Sequence, residues 1–280
     1  MSAYLNFVFR THPTHTIPIG IEIVPNFWSQ IAFWLTFFVS IFFGASFLLK
    51  TLWPKWYNDL PDRKKREFPS YIICTVHHMY VVPIGYTHIF QDFFRTAEEL
   101  SVVNYSQIEA PLISFMMSYL IADTVCYALP EFFRKGSFEF LLHHLASIWL
   151  GYACMIANGH VLRCTPHLII CESANLFFNY AWFLRAMGDQ YRDLPIVSYC
   201  EITFAILFFF TRVVNLPLIL FQTYASPYGD TLGYSKYTFF PIVALQYFWF
   251  YKIVASLLTR SGPKDKKDKA NTMSEKEKTT

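Results

Sequence analysis

Charge is what this sequence has least of. Of its 280 residues only 15% are Asp, Glu, Lys or Arg, where a soluble domain carries roughly 25%. Hydrophobic residues make up 54% and aromatics 20%. The scarce charge is also uneven. Residues 260–280 hold seven Lys/Arg and four Asp/Glu, so the rest of the chain is more apolar than the average suggests. A soluble chain of this length needs more polar surface than that, whether it forms one domain or two. The composition excludes a disordered scaffold. The net charge of +3 is too small to argue for an anionic partner, and no nucleic-acid partner is expected.

Regular cysteine spacing is missing too. The six cysteines, at 74, 126, 154, 164, 171 and 200, form no CxxC pair, which excludes a zinc ribbon and a disulfide mini-protein. Most fall in apolar runs and read as small apolar side chains of a packed interior. A signal peptide is absent from the reading as well. Residues 1–26 carry Arg10, prolines and histidines rather than a basic start and a short apolar core. No internal repeat is visible.

What remains is a series of long apolar runs. A bilayer span needs about 20 mostly apolar residues. Seven segments qualify or nearly do: 27–49, 68–90, 110–129, 138–158, 165–185, 197–221 and 237–258. Hydrocarbon leaves no water for unpaired backbone groups, so all seven are expected to be helices. The fold class is all-α, a polytopic membrane helix bundle of about seven spans. Residues 1–62 form an N-terminal segment with the first helix, 63–260 the main transmembrane domain, and 261–280 a charged tail.

Lys and Arg in the connections set the orientation. The loops 50–67, 130–137 and 185–196, with the tail, carry 17 of them, against four on the opposite side. The tail is therefore expected in the cytoplasm. The sequon Asn104-Tyr105-Ser106 then falls in a lumenal loop. Lys278 and Lys276, third and fifth from the end, resemble the dilysine retrieval signal of endoplasmic-reticulum membrane proteins, read by COPI-type machinery. A solvated charged tail is the plainer reading.

Ionisable groups at membrane depth are costly, so each is a functional candidate. Asp123 in the third expected span and His143 with His144 in the fourth lie at similar depths. Short loops make these spans neighbours. A carboxylate that fixes one imidazole tautomer would make the histidine a general base, and these three are the catalytic candidates. His77 and His78 lie near the middle of the second span. Glu172, Asn175 and Asn179 share one face of the fifth span. Arg212, with Asn215 three residues on, is in the sixth and is placed to pair with Glu172. His77, His78, Glu172, Asn175, Asn179 and Arg212 are the lipid-binding candidates. The competing reading is that Asn, Ser and His join membrane helices by hydrogen bonds worth about 1 kcal/mol each. Lys252 snorkels to the surface. The histidine spacings of di-iron desaturases are absent and no His pair is level for haem, so neither a metal nor another cofactor is expected.

The run from Phe140 to Leu184 begins with FLLHH and continues through E-S-x-x-x-x-x-N-x-x-W-F-L. With YLIADTVCY at 119–127, and RKKRE at 63–67 before the His77-His78 pair, it resembles the TLC domain. Ceramide synthases, translocation-associated TRAM proteins, the ceroid-lipofuscinosis membrane protein and smaller TLC domain-containing proteins share that domain. The resemblance covers roughly 63–260 and is strongest to the smaller members. It implies a role in lipid homeostasis in the endoplasmic reticulum, with membrane lipids bound in the bundle. Acyl transfer from acyl-CoA, as in ceramide synthases, is the alternative it implies. In that longer pattern a downstream His-Asp would fall at Ile170-Cys171 and a later Asp at Ala174, so this chain lacks them, and Glu172 is the nearby carboxylate. A trafficking or cargo factor is the third expectation.

Overall fold

The computed structural model describes residues 26–101, 103–136, 138–156, 159–225 and 227–260. The N-terminal segment with Arg10 and the tail with Lys276 and Lys278 lie outside them.

Every regular element among the described residues is helical, as the apolar runs require. The long helices are α1 (Phe27–Leu52), α2 (Asp62–Phe94), α3 (Tyr105–Asp123), α4 (Phe138–Ile156), α5 (Ser173–Met187), α6 (Pro195–Phe208), α7 (Asn215–Ala225) and α8 (Phe239–Arg260). Helix α1 packs on α2 and α3, α5 on α6 and α2, and α4 on α3 and α8. Asn104, the sequon asparagine, caps α3 by accepting the Gln107 amide at 3.2 Å.

Among the described residues five helices are long and apolar enough to cross a membrane: Phe27–Leu52, Gln107–Lys135, Phe138–Ile156, Pro195–Ala225 and Gly229–Thr259. The other two expected spans are helical but more polar. Helix α2 opens on Asp-Arg-Lys-Lys-Arg-Glu and carries the His77-His78 pair. The stretch 165–187 is broken by a tight 3-10 turn at Ile170–Glu172.

Polarity runs opposite to that of a soluble protein. Asp123, His78 and Gln246 are fully buried, while Phe43 and Phe210 are 62% and 59% exposed. A surface of this kind suits a hydrocarbon solvent, since polar groups in a bilayer must find partners inside the bundle.

The two ends of the bundle differ. At one, Arg66 pairs with Glu131 at 2.9 Å, Lys64 donates to the Arg185 carbonyl at 2.9 Å, and Lys252 meets Glu139 at 3.5 Å. We call this the basic end. At the other, Tyr105 donates to Asp92 at 2.9 Å, and His88 meets Glu109 at 2.8 Å. These contacts tie the connections of alternate helices together. Glu201 pairs with Arg185 toward the basic end.

Candidate functional site

A cavity of about 630 Å³ runs inside the bundle. Its wall on α2 extends from Arg63 to His77, about 20 Å at 1.5 Å per residue. The helices that line it agree on a polarity gradient. At the basic end stand Arg63, Glu67, Glu131, Lys135 and Lys252. The far end is apolar, with Ile113, Leu150, Leu216, Phe239 and Ile242 among its residues. Between them lie two polar layers.

The first layer joins α2, α3 and α4. Ser70 donates to Asp123 Oδ1 at 2.6 Å, and His144 Nε2 meets Asp123 Oδ2 at 3.1 Å. The other ring nitrogen of His144, Nδ1, lies 3.0 Å from the Phe140 carbonyl. A carbonyl only accepts, so Nδ1 carries hydrogen. Both ring nitrogens of His144 are thus engaged, one by the backbone and one by the carboxylate. His144 therefore offers no free nitrogen to the cavity. The ring of His143 packs edge-on against Trp249 at 5.2 Å, and its Nδ1 is buried without a partner.

The second layer is a hydrogen-bonded chain across the bundle. Asn179 donates to Cys74 Sγ at 3.3 Å and to Thr75 Oγ1 at 3.1 Å, tying α5 to α2. Cys74 Sγ lies 3.5 Å from His78 Nδ1, and His78 Nε2 lies 2.8 Å from Glu172 Oε2. The same oxygen accepts from Asn175 at 2.7 Å and from Arg212 at 3.2 Å. Arg212 also donates to the Cys171 carbonyl at 2.8 Å and to Gln246 Oε1 at 3.0 Å. His77 stands apart. Its ring stacks on Tyr119 at 4.3 Å and lies nearly parallel to Phe115, yet both its nitrogens are buried without a partner.

Each histidine doublet is thus divided. His78 and His144 are anchored by carboxylates, whereas His77 keeps both ring nitrogens, and His143 its Nδ1, buried without a partner. The expected catalytic set splits in the same way: Asp123 and His144 hold each other, and His143 faces the space. The expected lipid-binding set splits too, because Asn175, Glu172, Arg212 and His78 bond chiefly to one another. Asn215 bonds to the His167 carbonyl at 2.8 Å, within the helix packing.

Gln246, Ser70 and Cys74 belong to the site, although charge and histidine alone did not single them out. A glutamine in the middle of an apolar helix carried the same signal as Asn175. All six cysteines are free thiols, and Cys74 departs from the apolar reading because it joins two polar side chains. Among the described residues no group of three or more His, Cys, Asp or Glu side chains is arranged to hold a metal ion.

The ionic residues sit where the helices are irregular. Asp123 ends α3 at a π-helical turn, Thr124–Ala128. Arg212 lies within a second, Phe209–Val214, and Glu172 closes the 3-10 turn Ile170–Glu172. Such turns interrupt an α-helix frequently at functional sites.

Two curated relatives are similar over most of the chain. TLC domain-containing protein 4-B of Danio rerio is 24% identical over 223 residues, covering 76% of this chain and 83% of that protein. TLC domain-containing protein 4 of Homo sapiens is 24% identical over 200 residues, covering 71% and 70%. No solved structure matches the chain. The family model for the TLC domain matches residues 67–255, a stretch that takes in both polar layers from Ser70 to Gln246, and on that match the chain belongs to the TLC domain family of membrane proteins.

Proposed function

We propose that this protein takes an acyl lipid into the cavity and serves lipid homeostasis in the endoplasmic-reticulum membrane. One observation carries the reading: a cavity of about 630 Å³ with a charged mouth, polar middle layers and an apolar end. That volume lies within the roughly 300–1,000 Å³ of small-molecule sites. The gradient fits an amphiphile with its head toward the basic end and its chain among Leu150, Leu216 and Phe239. In this reading the chain crosses the membrane seven times, and the basic end and tail face the cytoplasm, in keeping with the Lys/Arg bias. The tail lysines at 276 and 278 would engage COPI-type retrieval machinery.

The test is lipid analysis of the purified protein. Wild type is expected to carry acyl lipid through purification. Leu150→Trp with Leu216→Trp, which fills the apolar end, is expected to carry several-fold less. Equal lipid in a folded double variant defeats the reading. Protease access to the tail in sealed microsomes checks the orientation.

A second reading, acyl transfer from acyl-CoA to an amine or hydroxyl, is favoured by one observation. His143 lines the cavity beside the anchored Asp123–His144 pair, and its Nδ1 is buried without a partner. Turnover by wild type that is abolished in His143→Ala would support it over simple binding.

A further inference from the structure

The lipid reading leaves the head group open, and the charge at the cavity mouth narrows it. The net charge of the chain is small, but it is not evenly spread. Glu131 Oε1 accepts from Arg66 at 2.9 Å and from Arg134 at 2.8 Å, and Lys135 lies 3.4 Å from Oε2. Three cations share one carboxylate, which leaves an excess of two positive charges. The Glu131 side chain is only 7% exposed, whereas those of Arg134 and Lys135 are 52% and 45% exposed. The anion is sunk beneath its cations. Arg63 and Glu67, on the same rim, balance each other.

Two cations that line the mouth are loosely held. A charge-assisted bond from nitrogen to a carboxylate is normally about 2.7–2.9 Å long. Lys135 is 3.4 Å from Glu131, and Lys252 is 3.5 Å from Glu139. Both line the cavity, and both are about half exposed. Lys252 also lies 4.2 Å from the centre of the Phe248 ring, which attracts a cation but is a weak hydrogen-bond acceptor. An ammonium group has three donors, so each lysine keeps capacity for a further acceptor. The two flank one short connection: Lys135 precedes Gly136, and Glu139, which meets Lys252, follows it. Deeper in, Arg212 is engaged on three sides, by Glu172, Gln246 and the Cys171 carbonyl. Carrying an anion that far would also cost it its water. The place for an anionic head is the mouth.

Resting on the lipid reading above, we propose that the cavity mouth holds the phosphate of an acyl lipid's head, with Lys135 and Lys252 receiving it and Arg134 adding charge beside them. A phosphate monoester carries about −1.5 to −2 charge and three strong acceptor oxygens. That suits two ammonium groups with donors to spare. Lysine meets phosphate as a point charge, so the site reads charge more than head shape. The acyl chain runs from there past the polar layers toward Leu150 and Phe239. A phosphate can arrive on a phospholipid or on acyl-CoA, and the experiment separates the two. Basic residues beside a membrane also attract anionic lipid without a site. Lys50 and Lys55 are exposed in the same basic stretch, outside the cavity lining, and serve as the comparison.

The experiment uses the full chain in non-ionic detergent and three probes of one chain length: a monoacylglycerol, a lysophosphatidic acid and an acyl-CoA. Binding is read by native mass spectrometry. At least one phosphate-bearing probe is expected to bind at least tenfold more tightly than the monoacylglycerol, by a margin that narrows as salt rises. Lys135→Gln with Lys252→Gln is expected to remove most of that margin and leave monoacylglycerol binding unchanged. Lys50→Gln with Lys55→Gln removes the same formal charge and is expected to keep the margin. Thermal unfolding of each variant is measured alongside, and only folded variants are compared. Whichever phosphate probe binds more tightly through Lys135 and Lys252 names the source of the phosphate, and either supports the proposal. Phosphate probes that bind no more tightly than the monoacylglycerol would overturn it and leave the lipid reading standing. So would a margin that survives in the Lys135 and Lys252 variant, or one lost equally in the Lys50 and Lys55 variant. Failure of all three probes to bind would overturn both.

Discussion

Glu172→Gln tests the second polar layer with the least change in shape. The substitution keeps the side-chain length and leaves an oxygen to accept from His78 and Asn175. What it removes is the negative charge opposite Arg212, 3.2 Å away. Arg212 has a side chain only 5% exposed, and its remaining partners, the Cys171 carbonyl and Gln246, are uncharged. A buried ion pair contributes little net stability, but removing one partner strands the other and costs about 3–5 kcal/mol. Unfolding in mixed micelles by SDS titration, followed by tryptophan fluorescence, measures that loss. Arg212→Met alone is expected to cost somewhat less, because Glu172 keeps two donors in His78 and Asn175. The double variant removes both charges. It is expected to be more stable than the sum of the single losses predicts, by about 2 kcal/mol, within the usual range for directly coupled residues. Strict additivity, or a loss below about 1 kcal/mol for Glu172→Gln, would mean that the pair is not buried as described.

Asp123 offers a contrast. Asn at this position can accept from Ser70 and donate to His144 Nε2, so Asp123→Asn is expected to lie within about 1 kcal/mol of wild type by the same titration. Asp123→Leu orphans both neighbours and is expected to cost about 1–3 kcal/mol for each. Helix α2 approaches the segment 165–169 closely at Gly85, where an added Cβ would lie 2.8 Å from Ile169 Cγ2 and 3.3 Å from the Pro166 carbonyl. Gly85→Val is therefore expected to destabilise by about 1–3 kcal/mol through overpacking, measured as a lower thermal midpoint.

Scarcity of charge is why so much of this site was legible in the sequence. In a soluble protein, Asp123 or Glu172 would be one carboxylate among many. In hydrocarbon each must be matched, so its presence already implied a partner. The pairings Glu172–Arg212 and Asp123–His144 followed from helix order, short loops and depth. The division of the histidine doublets did not. Adjacent residues on a helix point about 100° apart, but which of the two meets a carboxylate depends on the rotation of a neighbouring helix. That rotation is altered here by the π-helical turns after Asp123 and around Arg212, and no periodicity of apolar residues announces them. The polarity that exposed the site also hid two of the expected spans, since α2 and the 165–187 stretch carry its histidines, Glu172 and the asparagines.

The irregular turns and the polar side chains depend on each other. A π-helical or 3-10 turn shifts the regular i to i−4 ladder and changes which backbone carbonyls are met within the helix. In a membrane interior only side chains or neighbouring helices can meet those left over. Here Arg212 reaches the Cys171 carbonyl at 2.8 Å, the Cys171 thiol reaches the Thr211 carbonyl at 2.9 Å, and Asn215 reaches those of His167 and Thr211. The two interrupted stretches, around 170–172 and 209–214, are stitched together by the residues they expose. It follows that Arg212 has two separable jobs, one through its charge on Glu172 and one through its donors on backbone and Gln246. Arg212→Lys keeps the charge but loses the fork of donors. If the stitching matters, Arg212→Lys will be destabilised even though the charge pair with Glu172 is kept, and the loss will persist in a Glu172→Gln background, where no ion pair remains to be broken.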